Sequence, residues 1–261
     1  MEAPAVTVVV PTRGRPDYLE VTLDSLLRQR TGVPHELLVV DDGPPGQTPA
    51  IAASRGVRCV SHDGPRNLNA ARNTGLREST APLVAFVDDD VFVPPGWLDA
   101  LARGADRHPD AGAFGGPIRA CFEGGAPRGC GREDPPITTL DLGPADREAD
   151  AVWRANFAVR RDAVDRTGPF DESILLPHGD EEEWLERLRA AGGRIVYLAG
   201  AGLEHRRTAA DARLDRLARG AYARGRGARA SDRRRGSAPA LRAELRVLAG
   251  CGWHTVRRAC P

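Results

Sequence analysis

The sequence predicts an α/β protein with a mostly parallel central sheet flanked by helices, followed by a basic, helical C-terminal tail. Two observations predict the sheet. Apolar, β-branched runs at 6–10, 36–40, 57–61 and 83–87 alternate with helical patterns, at the roughly 20–30-residue spacing of βαβ units. The runs at 6–10 and 83–87 are continuous rather than alternating, as strands covered on both faces are. A third observation sets off the tail. Residues 206–261 hold 15 Arg against 4 acids, a charge of +11, whereas residues 1–205 hold 22 Arg against 32 acids, a charge of −10.

Val6-Thr7-Val8-Val9-Val10 reads as a buried strand ended by Pro11. Leu19, Leu23, Leu26 and Leu27 fall at helical spacing over 17–30, and Gly32-Val33-Pro34 stops that helix. Glu36–Val40 is the second strand, closed by the turn Asp41-Asp42-Gly43-Pro44-Pro45. A helix at 50–54, a strand at 57–61, a helix at 67–78 and a strand at 83–87 follow. Pro94-Pro95-Gly96-Trp97 opens a helix to about His108, and 111–119 reads as one strand. Residues 122–150, rich in Gly, Pro and acids without periodicity, read as a long surface loop of the kind that often binds or covers a ligand. Residues 156–159 form a strand, 180–191 a helix closed by Gly192-Gly193, and 194–198 the final strand. The tail reads as a helix from about 208 to 224, an Arg/Gly/Ser link of disordered composition to about 238, and a helix over 239–258.

At 261 residues, 41% hydrophobic and 28% charged, the composition is that of a globular protein able to bury a large core. No apolar run has the length of a membrane span, and the N-terminus has no signal-peptide pattern, so the expected location is cytoplasmic. The five cysteines are scattered without a CxxC pair, which argues against a zinc site or a disulfide framework. All 37 basic residues are Arg, so Arg abundance by itself is no sign of phosphate chemistry.

The most informative stretch is Val84-Ala85-Phe86-Val87-Asp88-Asp89-Asp90. Three adjacent carboxylates at the C-terminal end of a buried strand repel one another unless a cation or a set of donors compensates. In open α/β sheets that edge is where ligands bind. A divalent metal holding a diphosphate satisfies both conditions. Three more polar clusters follow strands or open helices: Pro11-Thr12-Arg13, Asp41-Asp42 and Gly179-Asp180-Glu181-Glu182-Glu183.

In this order and spacing, the clusters resemble family 2 glycosyltransferases of the GT-A, Rossmann-like fold. The matching pieces are VTVVVPTRGRPDYLEVTLDSLLRQ, ELLVVDDG, NAARNTGL, LVAFVDDDV, ANFAVRRDAVDRTGPFDES and GDEEEWLERLRAAGGRIVYL, spread over most of 6–205. The resemblance implies a nucleotide-diphospho-sugar donor, a divalent metal (Mn²⁺ or Mg²⁺) and hexosyl transfer to an acceptor hydroxyl. It divides the chain into a GT-A domain at 1–207 and an Arg-rich extension at 208–261. About 1–115 of the domain would bind the donor and about 116–207 the acceptor.

Carried over residue by residue, Asp42 would accept from the nucleobase and Pro11 and Thr12 would line its pocket, with Arg13 in the same donor-binding stretch. Asp88 and Asp89 would reach the ribose or metal-bound waters, and Asp90 would bind the metal. His205 would complete the metal or diphosphate site. Arg66 and Arg72 are candidates to meet the diphosphate with a planar fork of donors; Asn73 is a capping or packing residue. The acidic run at 180–183 resembles the family's acidic pair, in which the second acid is the general base. That position falls on Glu181, with Asp180 as the alternative, because the order here is Asp-Glu rather than Glu-Asp. Trp153, Asn156 and Asp171 lie in the segment that shapes the acceptor side.

The competing readings are a retaining transferase on the same fold and a non-catalytic nucleotide-sugar-binding or scaffold protein. The acceptor class stays open between a glycan, a lipid-linked and a small-molecule hydroxyl. The basic tail is a solvated end, a contact to an anionic membrane or a contact to a partner; nucleic acid is not expected, since no recognised module accompanies the charge.

Overall fold

The computed structural model describes residues 3–125, 137–175, 180–237 and 239–259. It divides into two compact units, one comprising Met1–Cys121, Thr138–Leu175 and Asp180–Arg207, the other Phe122–Ile137, Leu176–Gly179 and Thr208–Pro261. The elements are β1 (Val6–Thr12), α1 (Pro16–Leu27), β2 (His35–Asp41), α2 (Thr48–Ser54), β3 (Arg58–Ser61), α3 (Leu68–Glu78), β4 (Leu83–Val87), β5 (Val91–Phe92), α4 (Trp97–Arg107), β6 (Ala111–Gly115), β7 (Ile118–Phe122), β8 (Arg147–Glu148), β9 (Asn156–Arg160), α5 (Arg161–Thr167), α6 (Asp180–Ala190), β10 (Arg194–Tyr197), β11 (Leu203–Arg207), α7 (Leu214–Arg234) and α8 (Leu241–Ala259).

Eight strands form the central sheet in the order β3-β2-β1-β4-β9-β6-β10-β8. Strands β1 to β4 pair in parallel, as do β6 and β10. Strand β9 runs antiparallel between β4 and β6, and β8 antiparallel to β10. Strands β5, β11 and β7 make a second, three-stranded sheet. The α/β class with a mostly parallel sheet is thus as the sequence predicts.

Side chains alternate across the sheet, and the two faces build two cores. Val8, Val10, Val39 and Ala85 pack with Leu19 and Leu23 of α1, Ile51 of α2 and Trp97 and Leu101 of α4. Val9, Leu38, Val40 and Phe86 pack with Ala71 and Leu76 of α3 and Trp184 and Leu188 of α6. Both faces are covered, which is why the strands are continuously apolar. The parallel strands also point their C-terminal ends the same way. That brings Thr12, Asp41-Asp42 and Asp88–Asp90 to one edge, where the order turns from β3-β2-β1 to β4, a switch point that opens a crevice.

Several expectations are corrected. Residues 111–119 are two strands, not one: β6 ends at Gly115 and β7 begins at Ile118 in the other sheet. Pro117 cannot donate to a ladder, and a Cβ on Gly116 would lie 2.1 Å from the Ala201 carbonyl oxygen. We expect Gly116→Ala to cost about 2–3 kcal/mol, since backbone there cannot yield as a side chain would; an unchanged urea midpoint would refute this.

The stretch 122–150 is not structureless throughout: Leu140 bridges Ile118 and β8 pairs with β10, while 126–136 lie outside the described residues. Strand 194–198 is not the last, because the polar run Leu203–Arg207 forms β11 with Leu203 and His205 buried and Glu204 exposed. Helix α5 had no counterpart in the prediction. The Arg/Gly/Ser link is helical as far as Arg234. Its Ala and Arg are strong helix formers and outweigh Gly220, Gly225 and Gly227 at about 1 kcal/mol each, and the side-chain bond of Arg219 to Asp215 adds support. No helix among the described residues is long and apolar enough to cross a membrane.

Candidate active site

The edge beyond β1, β2 and β4 carries the acidic triplet, and its three members face different partners. Asp89 is buried: its Oδ2 accepts from Thr12 Oγ1 at 2.7 Å, and its Oδ1 pairs with Arg15. Asp90 is also buried, and its Oδ2 accepts from Arg15 at 2.8 Å and Arg207 at 2.5 Å. Asp88 remains partly open and pairs with Arg154 at 3.4 Å. Thr22, from α1, donates to the main-chain oxygens of Asp89 and Val91 at 2.7 Å and so fixes the turn. Burial raises the Asp89 carboxyl above its ordinary value, only partly offset by Arg15. Burial works the same way on Asp90, but His205, Arg15 and Arg207 outweigh it and hold the carboxyl well below the usual range.

Strand β11 delivers His205 to Asp90. Its Nδ1 lies 3.1 Å from the Thr138 carbonyl oxygen, which leaves Nε2 turned to Asp90 Oδ1 at 3.2 Å. Both atoms are buried and have each other as near neighbour, without an aligned hydrogen bond. Asp88, Asp90 and His205 offer ligand atoms that all lie within 4.8 Å of one another. Two hard carboxylate oxygens and one imidazole nitrogen are a donor set that suits Mn²⁺ or Mg²⁺ when substrate phosphate and water complete the shell. The residues present therefore fit a divalent metal. They also revise the expected division of the triplet: Asp88 joins Asp90, while Asp89 is turned inward to Thr12 and Arg15.

The second cluster opens α6. Asp180 accepts from Arg72 at 2.8 Å, and Arg72, only 1% exposed, also bonds Asn69 and lies over the Phe170 ring at 5.4 Å. Arg72 is thus spent on this cluster rather than on the triplet, contrary to the diphosphate expectation. Burial opposes charge on Asp180, but Arg72, Glu181 and Arg154 outweigh it and keep its carboxyl far below the ordinary value. Glu181 behaves oppositely. Burial, and then the negative charge of Asp180, push it up to about 8. Its Oε1 accepts from the Arg154 main-chain N–H at 3.3 Å, and its buried carboxyl shares a hydrogen bond with the Asp180 carboxylate. Glu183, further along α6, is tied to Arg187 at 2.5 and 2.9 Å.

Arg154 therefore touches both clusters, Asp88 through its side chain and Glu181 through its main chain. Arg15, Arg154 and Arg207, the guanidiniums that meet the triplet, are residues that sequence reasoning missed. Arg66 is half exposed and pairs with Glu172 at 2.7 Å, although its main-chain N–H caps Asp42 Oδ1 at the same distance. His62, also missed, is partly buried between Asp42 (2.8 Å) and Thr74 (2.9 Å) and orients the carboxylate. Pro11 is buried in β1, and Arg13 is exposed just beyond it. Asn73 packs, bonding both main-chain groups of Phe170. Asn156 ties Trp97 to the carbonyls of Pro117 and Ala201. Trp153 packs against the core, and Asp171 closes a turn at Ser173.

Residues 7–168 match the family described as Glycosyl transferase family 2. The chain belongs to this family. This chain is 31% identical over 229 residues to the O-antigen biosynthesis protein RfbC of Myxococcus xanthus, covering 79% of this chain and 18% of that protein. It is 32% identical over 203 residues to the pre-mycofactocin glycosyltransferase of Mycobacterium tuberculosis, covering 74% and 40%. It thus spans less than half the length of these two relatives. Among solved structures, GalNAc-T7 with UDP, GalNAc and Mn²⁺ superposes with a TM-score of 0.63 at 15% identity, covering 79% of this chain and 44% of that one. The mannosyltransferase PcManGT from Pyrobaculum calidifontis, in complex with GDP-Man and Mn²⁺, superposes with a TM-score of 0.58 at 19% identity, covering 97% and 81%. These likenesses show the GT-A fold.

Proposed function

We propose that the transferase is metal-dependent and inverting, moving a hexosyl group from a nucleotide diphosphate sugar to an acceptor hydroxyl. Residues 1–207 would form its catalytic domain, with the nucleotide half at about 1–115. The observation that carries this reading is the pairing of two unlike acidic clusters through Arg154: one in which Asp88, Asp90 and His205 offer ligand atoms within 4.8 Å of one another, the other with Glu181 buried beside Asp180.

A divalent ion held by Asp88, Asp90 and His205 would supply positive charge to the leaving diphosphate. Every other role falls to the chain itself. Asp42, fixed by His62 and the Arg66 N–H, keeps Oδ2 to accept from a base N–H. Arg15, partly exposed and bonded to Asp89 and Asp90, holds those carboxylates and adds positive charge at the same edge. Glu181 removes the acceptor proton. Asp180, held ionised against Arg72, is too weak a base for that task. A single displacement assisted by one base inverts the anomeric centre.

UDP and GDP, suggested by the ligands of the structural neighbours, are the first donors to try. Calorimetry should show nucleoside diphosphate binding that is lost on chelation, and proton NMR of the transfer product should show an inverted anomeric coupling. Retention of configuration would overturn the inverting reading, and chelator-insensitive binding the metal requirement.

A further inference from the structure

We propose that α8 is a docking helix whose apolar stripe enters an anionic lipid surface. The inference goes beyond the transferase reading and stands on the second unit alone. Eight large apolar side chains are exposed among the described residues, and six of them lie on α7 and α8. Leu241, Leu245 and Leu248 are 66%, 54% and 68% exposed. Spaced i, i+4 and i+7, they fall within about 60° of one another around the helix. Such a stripe ordinarily faces a core; here it faces solvent. Trp253, 65% exposed, stands on the same helix.

Charge selects the occupant. Arg242 and Arg246 are exposed beside the stripe, and Glu244, the one acid of α8, is paired with Arg229 of α7 at 2.8 Å. Residues 206–261 carry +11 in all. A Leu stripe flanked by Arg, with Trp253 about 120° round from Leu241 on the Arg-bearing side, is the pattern of an amphipathic helix that lies in a membrane interface. Anionic headgroups would meet the arginines while the acyl boundary takes the leucines. A symmetric contact between two copies of this helix would set +3 against +3. A neutral protein groove would cover the leucines and leave the arginines uncompensated.

The test is flotation of the full chain with phosphatidylcholine vesicles, with and without phosphatidylglycerol. Binding is expected only with phosphatidylglycerol, and it should weaken at high salt because exposed charges are screened. Leu245→Glu with Leu248→Glu should weaken it about tenfold or more, and so should Arg242→Glu with Arg246→Glu. Trp97 and Trp184 are buried and Trp153 is partly buried against the core of the other unit, so a blue shift of emission on vesicle addition that arises from α8 should vanish in Trp253→Phe. Absence of binding, equal binding to neutral vesicles, or indifference to both double substitutions overturns the proposal. So does self-association that Leu248→Glu abolishes while vesicles stay unbound, because the stripe then belongs to a second copy. Nucleoside diphosphate calorimetry on the same proteins separates the two readings: nucleotide binding without vesicle binding removes the docking helix alone, and the converse removes the transferase reading alone.

Discussion

Asp90→Ala is expected to reduce sugar transfer by about three decades or more, a loss of several kcal/mol of charge stabilisation at the leaving diphosphate. The substitution removes the ligand oxygen that faces His205 and the carboxylate that anchors Arg15 and Arg207. The fold should survive it. The three carboxylates of the triplet are matched by Arg15, Arg154 and Arg207, so deletion leaves one excess positive charge. Arg15 is 43% exposed and keeps Asp89 as a partner, and Arg207 is 21% exposed. Both can reach water, so the stability loss should be about 1–2 kcal/mol rather than the larger cost of stranding a deeply buried charge. The functional loss therefore dominates. Calorimetry should show Mn²⁺-dependent nucleotide affinity falling in parallel with turnover. Near-normal turnover in a folded Asp90→Ala protein would sink the metal assignment.

What the sequence disclosed about this site, and what it hid, follow from different physics. Strands covered on both faces write their burial into consecutive residues, so β4 was readable to the residue, whereas β1 runs on through Pro11 to Thr12, past the end that Pro11 suggested. An acid triplet after such a strand is an electrostatic anomaly that composition cannot disguise. The partners of those acids left no comparable mark. With 37 arginines in the chain, nothing local separates Arg15, Arg154 and Arg207 from solvated ones. Arg72 fell inside a recognisable segment, yet its direction is set by Asp180, 108 residues away. Strand β11 was hidden because it is polar along most of its length, buried at Leu203 and His205 and paired into a small second sheet. His62 gave no signal at all; its role exists only because β2 and α3 bring Asp42 and Thr74 to either side of it.

Glu181→Gln should all but abolish turnover while leaving nucleoside diphosphate binding intact, and should raise the stability of the fold in alkaline solution. The two effects have one origin. Burial and the Asp180 charge favour the protonated form of Glu181 and push it up to about 8. As a base it must be ionised, so kcat/KM of the wild type should climb with pH through this value, a limb absent from any residual activity of the Gln variant. Stability runs the other way. A carboxyl whose folded value is raised stabilises the fold fully below its unfolded value, and that contribution drains away as pH rises toward about 8. Gln does not titrate, so the melting temperature of Glu181→Gln should gain on the wild type across that window. Asp180 does not confuse the comparison. Its carboxyl is lowered, so its contribution is lost only in acid, as pH falls below the ordinary carboxylate range. Asp180→Asn should behave differently again, because it strands the buried guanidinium of Arg72 and destabilises the fold at every pH where Asp180 is ionised. If Asp180→Asn instead yields a stable protein that binds nucleotide without turnover, while Glu181→Gln stays active, the base is Asp180.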